Sequence, residues 1–230
     1  MKKVFLAVGH GGNDSGATGN GFKEKDLNLS IATACMNVLF DHGIEVKMSR
    51  YKDENDPLEE RVSECNSFAP DLALDIHNNA GGGDGAECFY HYKGGTGKTL
   101  ASNIISEIVS IGQNSRGIKT KLNSQGKDYY GFIRNTKAPA VIVECAFIDN
   151  ATDIQIIDTD AEQKQMGIAI AKGVLKTLGI EYIPETKPET KPDNIAYRLE
   201  VAFTNHDDAS NLQNKLIKDG FKTVLVTING

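Results

Sequence analysis

A chain of 230 residues, 40% apolar and 24% charged, can bury the core of one sizeable domain with room for a small second one. Its net charge of −6 gives no electrostatic reason to expect nucleic-acid binding, and an anionic ligand needs a local site that overcomes that charge. No apolar run is long enough to span a membrane.

The opening "MKKVFLAVGHGG" has two lysines and a short apolar run, too brief for a signal peptide and followed by no small-residue cleavage site. The expectation is synthesis in the cytoplasm without a signal peptide, with action elsewhere only after release. "KVFLAVG" is continuously apolar, as a strand buried on both faces should be. Next, Leu27, Ile31, Ala34, Val38 and Leu39 recur at helical spacing, and Gly43 is placed to end that helix. "IEVKMS" alternates as a strand, and "PLEERVSECNSFA" begins with proline and reads as a helix. "LALDI" and "AECFYHY" read as strands, "TLASNIISEIVSIG" as a helix, "AVIVE" as a strand and "AEQKQMGIAIAKGVLKTLG" as a closing helix. This alternation predicts an α/β domain over 1–181, with a mixed, mostly parallel central sheet and helices on both faces. Cys35, Cys65, Cys88 and Cys145 form no C-x-x-C pair and are expected to be structural thiols.

"IPETKPETKPDN" carries a tandem PETK and half of the prolines, so 182–194 reads as an extended linker. The tail, 195–230, reads strand, helix, strand: "AYRLEVAF", "DDASNLQNKLIKDG", "FKTVLVTI". One βαβ unit buries little apolar surface, so a partner surface is expected for it.

The chemistry-bearing residues fall in a pattern. His10 ends the first strand, His77 follows "LALDI", Glu144 ends "AVIV", and Glu24 starts the first long helix after a glycine-rich loop. Ligand sites of open α/β sheets form beyond the carboxyl ends of the strands, so these four residues can meet at one sheet edge. Two histidines and a carboxylate with an open fourth position make a catalytic zinc set, and a second carboxylate is then free to act as base. Taken singly, a strand-end histidine is usually structural and a glutamate at a helix start serves the helix dipole. Glu144, flanked by "AVIV" and "CAF", is harder to dismiss, because a carboxylate among apolar residues needs a partner or a function.

Three stretches carry a resemblance. "GHGGNDSGATGNGFKEKDLNL", "DIHNNA" and "IRNTKAPAVIVECAFIDN" resemble, in order, the three motifs of the zinc-dependent N-acetylmuramoyl-L-alanine amidases called amidase family 3. The resemblance spans most of residues 1–180. It implies hydrolysis of the amide joining N-acetylmuramic acid to L-alanine in peptidoglycan. It also implies Zn2+ held by His10, Glu24 and His77, catalysis by Glu144, and a contributing Arg134 that holds a substrate carboxylate or pairs with an acid. Departures are Ala7-Val8 where the family often has Asp-Pro, Asp75 where it usually has serine, and Ala146 where it has glycine. Asp14 is retained and either orients a ligand histidine or shapes the loop. The tail resembles one half of the SPOR fold, a duplicated βαβ that binds peptidoglycan, and pairing of two tails would give a homodimer. The lack of a signal peptide and the short linker suggest a phage endolysin, with a bacterial autolysin or a sporulation lytic enzyme as the alternative.

One stretch points elsewhere. "KGGTGKT" resembles the phosphate loop of the ParA/MinD ATPases and ends in Gly97-Lys98-Thr99 as a P-loop does. Tyr92, however, stands where that loop needs its first glycine. The expectation is a surface turn closed by glycines, with Thr99 or a neighbour capping the following helix. A non-catalytic wall-binding protein is the third class, and retention of all four site residues argues against it.

Overall fold

A computed structural model of the chain describes residues 1–184. The tail and all but the first residues of the linker read from sequence lie outside the described residues. The elements are β1 (Lys3–Val8), the two-residue strands β2 (Thr18–Gly19) and β3 (Phe22–Lys23), α1 (Glu24–Asp41), β4 (Glu45–Met48), α2 (Leu58–Phe68), β5 (Leu72–Asn79), β6 (Ala86–Tyr90), α3 (Thr96–Ser110), β7 (Ser115–Lys119), α4 (Gly131–Asn135), β8 (Ala140–Phe147) and α5 (Asp160–Leu178). Strands β2 and β3 form a small antiparallel pair, and the other six form one sheet in the order β4-β1-β5-β8-β6-β7. Strands β4, β1, β5 and β8 are mutually parallel, β6 runs antiparallel to β8, and β7 runs parallel to β6. The sheet is therefore mixed and mostly parallel, as the sequence predicts.

Side chains of a strand alternate between its faces, and the two faces are covered differently. Val4, Leu6, Val8, Leu72, Leu74, Ile76, Val141 and Val143 pack with Ile31, Ile104 and Ile170 of α1, α3 and α5 in the main core. Phe5, Ala7, Ala73 and Ala140 on the other face pack with Cys65 and Phe132 of α2 and α4. That second face also carries Asp75, His77 and Glu144, one and two rows nearer the carboxyl ends of the parallel strands. Burial along β5 and β8 is complete except at His77, Asn79 and Glu144, which are partly exposed. All four cysteines are buried free thiols.

The helix ends follow local chemistry. Gly43 takes φ 73° just beyond α1 and its N–H bonds to Phe40 O, the left-handed stop expected of it. Thr159 and Glu162 make a reciprocal capping box at the start of α5. Helix α3 differs from expectation. It begins earlier, at Thr96, with Gly95 at the cap position and no side-chain cap, so Thr99 lies inside the helix. Gly95 at φ 70° serves there because the chain turns sharply out of β6, with Gly94 N–H bonded to His91 O.

Candidate active site

His10 stands two residues beyond the last β1 pairing, Val8 with Ile76, and the intervening Gly9 N–H still bonds to Ile76 O at 3.0 Å. Its own φ is 62°, a left-handed conformation that few non-glycine residues adopt, and it turns the chain sharply into Gly11. The turn is held from behind by Arg50. This buried guanidinium donates to the carbonyls of Val8, Gly9 and Lys25. Lys25 in turn bonds to Gly12 O and Asp53, so the start of α1 is tied to the loop that carries His10.

Glu24 is the first residue of α1 and is buried. Its Oε2 lies 3.1 Å from His10 Nε2 and accepts the Ala17 N–H, while its Oε1 lies 2.9 Å from His77 Nδ1 and accepts the Asn78 N–H. Burial alone would raise its pKa, but the bonds from His10 and His77 outweigh burial and hold the carboxyl far below the usual range. The rings of His10 and His77 meet edge to face, 5.0 Å apart. One ligand atom from each of His10, Glu24 and His77 lies within 4.8 Å of the others, which makes this a group able to hold a metal ion.

Each imidazole has a carboxylate at its other nitrogen. Asp14 Oδ2 accepts from His10 Nδ1 at 2.7 Å, and Asp75 Oδ1 lies 3.3 Å from His77 Nε2. Asp75 and His77 are two apart on β5 and so share a face. Asp75 is buried, and Arg61 of α2 donates to it at 3.1 Å. Burial pushes the Asp75 pKa up, and the charge of Arg61 together with the charge and hydrogen bond of His77 more than reverses that. Carboxylate–imidazole pairs of this kind fix which nitrogen is left for a metal, here Nε2 of His10 and Nδ1 of His77.

Glu144 pairs with His77 in the β5–β8 register, so the two side chains leave the same face of adjacent strands. Among the described residues its carboxylate accepts no hydrogen bond. Burial pushes its pKa up to about 7, against the pull of His77. The sheet edge thus presents a metal-holding group with an unengaged carboxylate beside it.

Residues 4–176 match the profile of the N-acetylmuramoyl-L-alanine amidases. The chain belongs to that family. The enzyme is 30% identical to a sporulation-specific N-acetylmuramoyl-L-alanine amidase of Bacillus subtilis (strain 168), over 98% of this chain and 85% of the relative. It is 31% identical to an endolysin of Bacillus phage SPP1, over 90% of this chain and 78% of the endolysin. Among solved structures, Cwp6 from Clostridium difficile matches with a TM-score of 0.76 and 42% identity, over 77% of this chain and 29% of that one. The activity is hydrolysis of the amide between N-acetylmuramic acid and L-alanine in peptidoglycan.

Arg134 of α4 is bonded to the loop that precedes it. Its guanidinium donates to the carbonyls of Asp128 and Tyr129 at 2.7 and 2.8 Å. That steadies the loop whose Tyr130 ring packs on Phe89 at 4.8 Å, one row below Glu144. Among the described residues, the bonds that Arg134 makes are to backbone carbonyls and not to an acid.

Two features escaped the sequence reading. Arg50 is among the largest fully buried side chains; nothing in "KMSRYKDE" distinguishes it from a surface arginine. Glu87 of β6 stands directly opposite Glu144 and is also buried. Arg116 and Lys119 of β7 both bond to it, and Asn79 donates to its other oxygen at 3.0 Å. The only signal for this cluster was a charged residue in the otherwise apolar "AECFY".

Proposed function

We propose that the enzyme is a zinc-dependent amidase in which His10, Glu24 and His77 hold the ion and Glu144 is the general acid/base. The observation that carries this reading is the His77–Glu144 cross-strand pair flanked by His10 and Glu24. The donor set fits zinc: two imidazoles with one nitrogen each already engaged by a carboxylate, plus a buried carboxylate whose pKa lies low. When bound, the ion supplies Lewis acidity and lowers the pKa of water beside it.

The chain's own residues do the rest. Asp14 and Asp75 hold the two rings in their tautomers, and Arg50 and Lys25 hold the backbone on which His10 and Glu24 stand. Glu144 takes the proton of the attacking water and delivers it to the departing L-alanine nitrogen. With no hydrogen-bond partner among the described residues, both of its oxygens stay available for that transfer.

Chelation should abolish wall lysis and zinc should restore it. Glu144→Gln should keep zinc while losing turnover by about a hundredfold or more, the usual cost of removing a general acid/base. Full activity in exhaustively chelated protein, or near-normal turnover of Glu144→Gln, overturns the assignment. The product to score is new N-terminal L-alanine from purified wall, with no new reducing sugar ends.

The sequence similarity to a phage endolysin supports host lysis as the setting. The near full-length match to a sporulation-specific amidase supports a second, lysis by the bacterium's own enzyme. The timing of the transcript, at phage lysis or during sporulation, separates the two.

A further inference from the structure

We propose that Arg116, anchored by Glu87 and Phe147 beside Glu144, is a subsite for a carboxylate on the stem peptide, the α-carboxylate of its second residue. The inference rests on the amidase reading, since it concerns the residue after L-alanine in that substrate.

The cluster is built around a buried acid that is fully committed. Both oxygens of Glu87 are occupied, by Asn79 on one side and by Arg116 and Lys119 on the other. Two cations against one carboxylate leave a surplus positive charge. In a protein of net charge −6, that surplus is a local place for an anion. Arg116 uses only its Nε on Glu87, at 2.8 Å, and its guanidinium lies 4.9 Å above the Phe147 ring. Among the described residues, its two outer nitrogens have no hydrogen-bond partner, and the side chain is 38% exposed. A guanidinium stacked on a ring and fixed through Nε presents its outer fork in a set orientation, which suits bidentate recognition of a carboxylate.

The backbone aims this group. The β6–β7 register shifts between Ala86 and Glu87, which pair with Ser115 and Gly117, so Arg116 is the extra residue of a bulge. Gly117 takes φ 81° there. Bulges of this kind re-aim side chains near active sites. Here the redirected side chain reaches back over β6 toward β8.

The distances suit the substrate. Neighbouring strands lie about 4.8 Å apart, so an arginine that reaches from β7 to Glu87 brings its fork within about one strand spacing of Glu144. Consecutive α-carbons in a peptide are about 3.8 Å apart, and an α-carboxylate extends one bond further. A scissile amide at Glu144 therefore places the second residue's α-carboxylate at the span that separates Glu144 from Arg116. In walls where that residue is glutamate joined through its side chain, this carboxylate is free; in others it is a carboxamide, which carries no charge.

The test uses the zinc-loaded full chain and two synthetic substrates whose γ-carboxyl is blocked by the next residue, N-acetylmuramoyl-L-alanyl-γ-D-glutamyl-L-lysine and its α-amide, N-acetylmuramoyl-L-alanyl-D-isoglutaminyl-L-lysine. The expected kcat/KM favours the acid by about tenfold, the worth of one hydrogen-bonded charge contact at a half-exposed site. Arg116→Gln should bring the ratio near one by losing activity on the acid alone. Equal use of both substrates by the natural chain, or a preference that survives Arg116→Gln, overturns the subsite. Failure to cut either substrate counts against the amidase reading instead. Binding of the tripeptides L-alanyl-γ-D-glutamyl-L-lysine and its α-amide, followed by NMR shifts, then decides the subsite alone. A preference for the acid that Arg116→Gln abolishes supports it, and equal binding or none refutes it.

Discussion

Gly9→Ala puts the site geometry under the most direct stress. Gly9 has no unusual backbone conformation, so alanine is not excluded by φ, but an added Cβ would lie 2.3 Å from His77 Cε1, 2.5 Å from Nε2 and 2.6 Å from Nδ1. The ring must retreat by about 1 Å to reach the 3.4 Å of an ordinary contact. It has no slack in which to do so: Glu24 holds Nδ1 at 2.9 Å, Asp75 stands 3.3 Å from Nε2, and His10 packs edge-on. Metal–ligand distances tolerate about 0.2 Å, and a displacement of about 1 Å at a catalytic group costs on the order of a hundredfold in rate. The expected result is zinc affinity reduced at least tenfold by chelator competition and turnover on purified wall reduced about a hundredfold. Overpacking should cost about 1–3 kcal/mol in folding, which a denaturant titration measures separately. Gly9→Ala protein that binds zinc as tightly as the natural chain and turns over within twofold of it would refute the close approach of strand and ring on which the site description depends.

Other substitutions examine the surroundings. Asp75→Asn should weaken zinc binding by about ten- to a hundredfold, as loss of a carboxylate behind a ligand histidine does, with a folding cost from leaving Arg61 short of its partner; unchanged affinity in chelator competition would reduce Asp75 to a structural role. Gly97→Ala meets only ordinary contacts, Ala140 O at 3.5 Å and Tyr90 Cβ at 3.9 Å, so it should leave activity intact and stabilise α3 by up to about 0.5–1 kcal/mol. Lys98→Ala should likewise leave lysis intact, and nucleotide should have no effect on either variant. Light scattering should find the full chain dimeric and a chain ending near Glu181 monomeric, as the βαβ pattern of 195–230 leads us to expect; a monomeric full chain at high concentration would end that expectation.

The parts of the site that were legible in the sequence are those set by strand ends. An apolar run such as "KVFLAVG" or "AVIVECAF" identifies a buried parallel strand, and its carboxyl end is where ligands bind, so His10, His77 and Glu144 could be placed at one edge before their contacts were known. Asp75 was visible only as a departure, a charge inside "LALDI", because its partner Arg61 arrives from a helix that sequence spacing cannot orient. Strand β7 went unread because "SRGIK" is polar and glycine-broken, as edge strands often are. With β7 unread, the partners of Glu87 were unread too.

The direction of β6 decides the rest. Glu87 pairs with Glu144 and Tyr90 with Val141, so β6 descends as β8 rises. Its amino end therefore stands at the catalytic edge, and its carboxyl end, with "HYKGGTGKT", emerges at the opposite one. The rule that ligands gather at strand carboxyl ends points to the wrong end of this strand and of β7 beside it. Were β6 parallel to β8, the glycine-rich stretch would open beside the metal-holding group and Glu87 would lie at the far edge among helix-facing side chains. The antiparallel turn instead brings a buried acid and its two cations beside Glu144, and it leaves the phosphate-loop likeness on a surface turn where Tyr92 N–H is already bonded to Asp128 at 3.0 Å. Strand polarity cannot be read from five apolar-rich residues, since parallel and antiparallel pairing demand the same alternation. Strand direction, together with Tyr92 where the loop needs its first glycine, separates the nucleotide-binding appearance of the sequence from the wall-cutting chemistry of the folded chain.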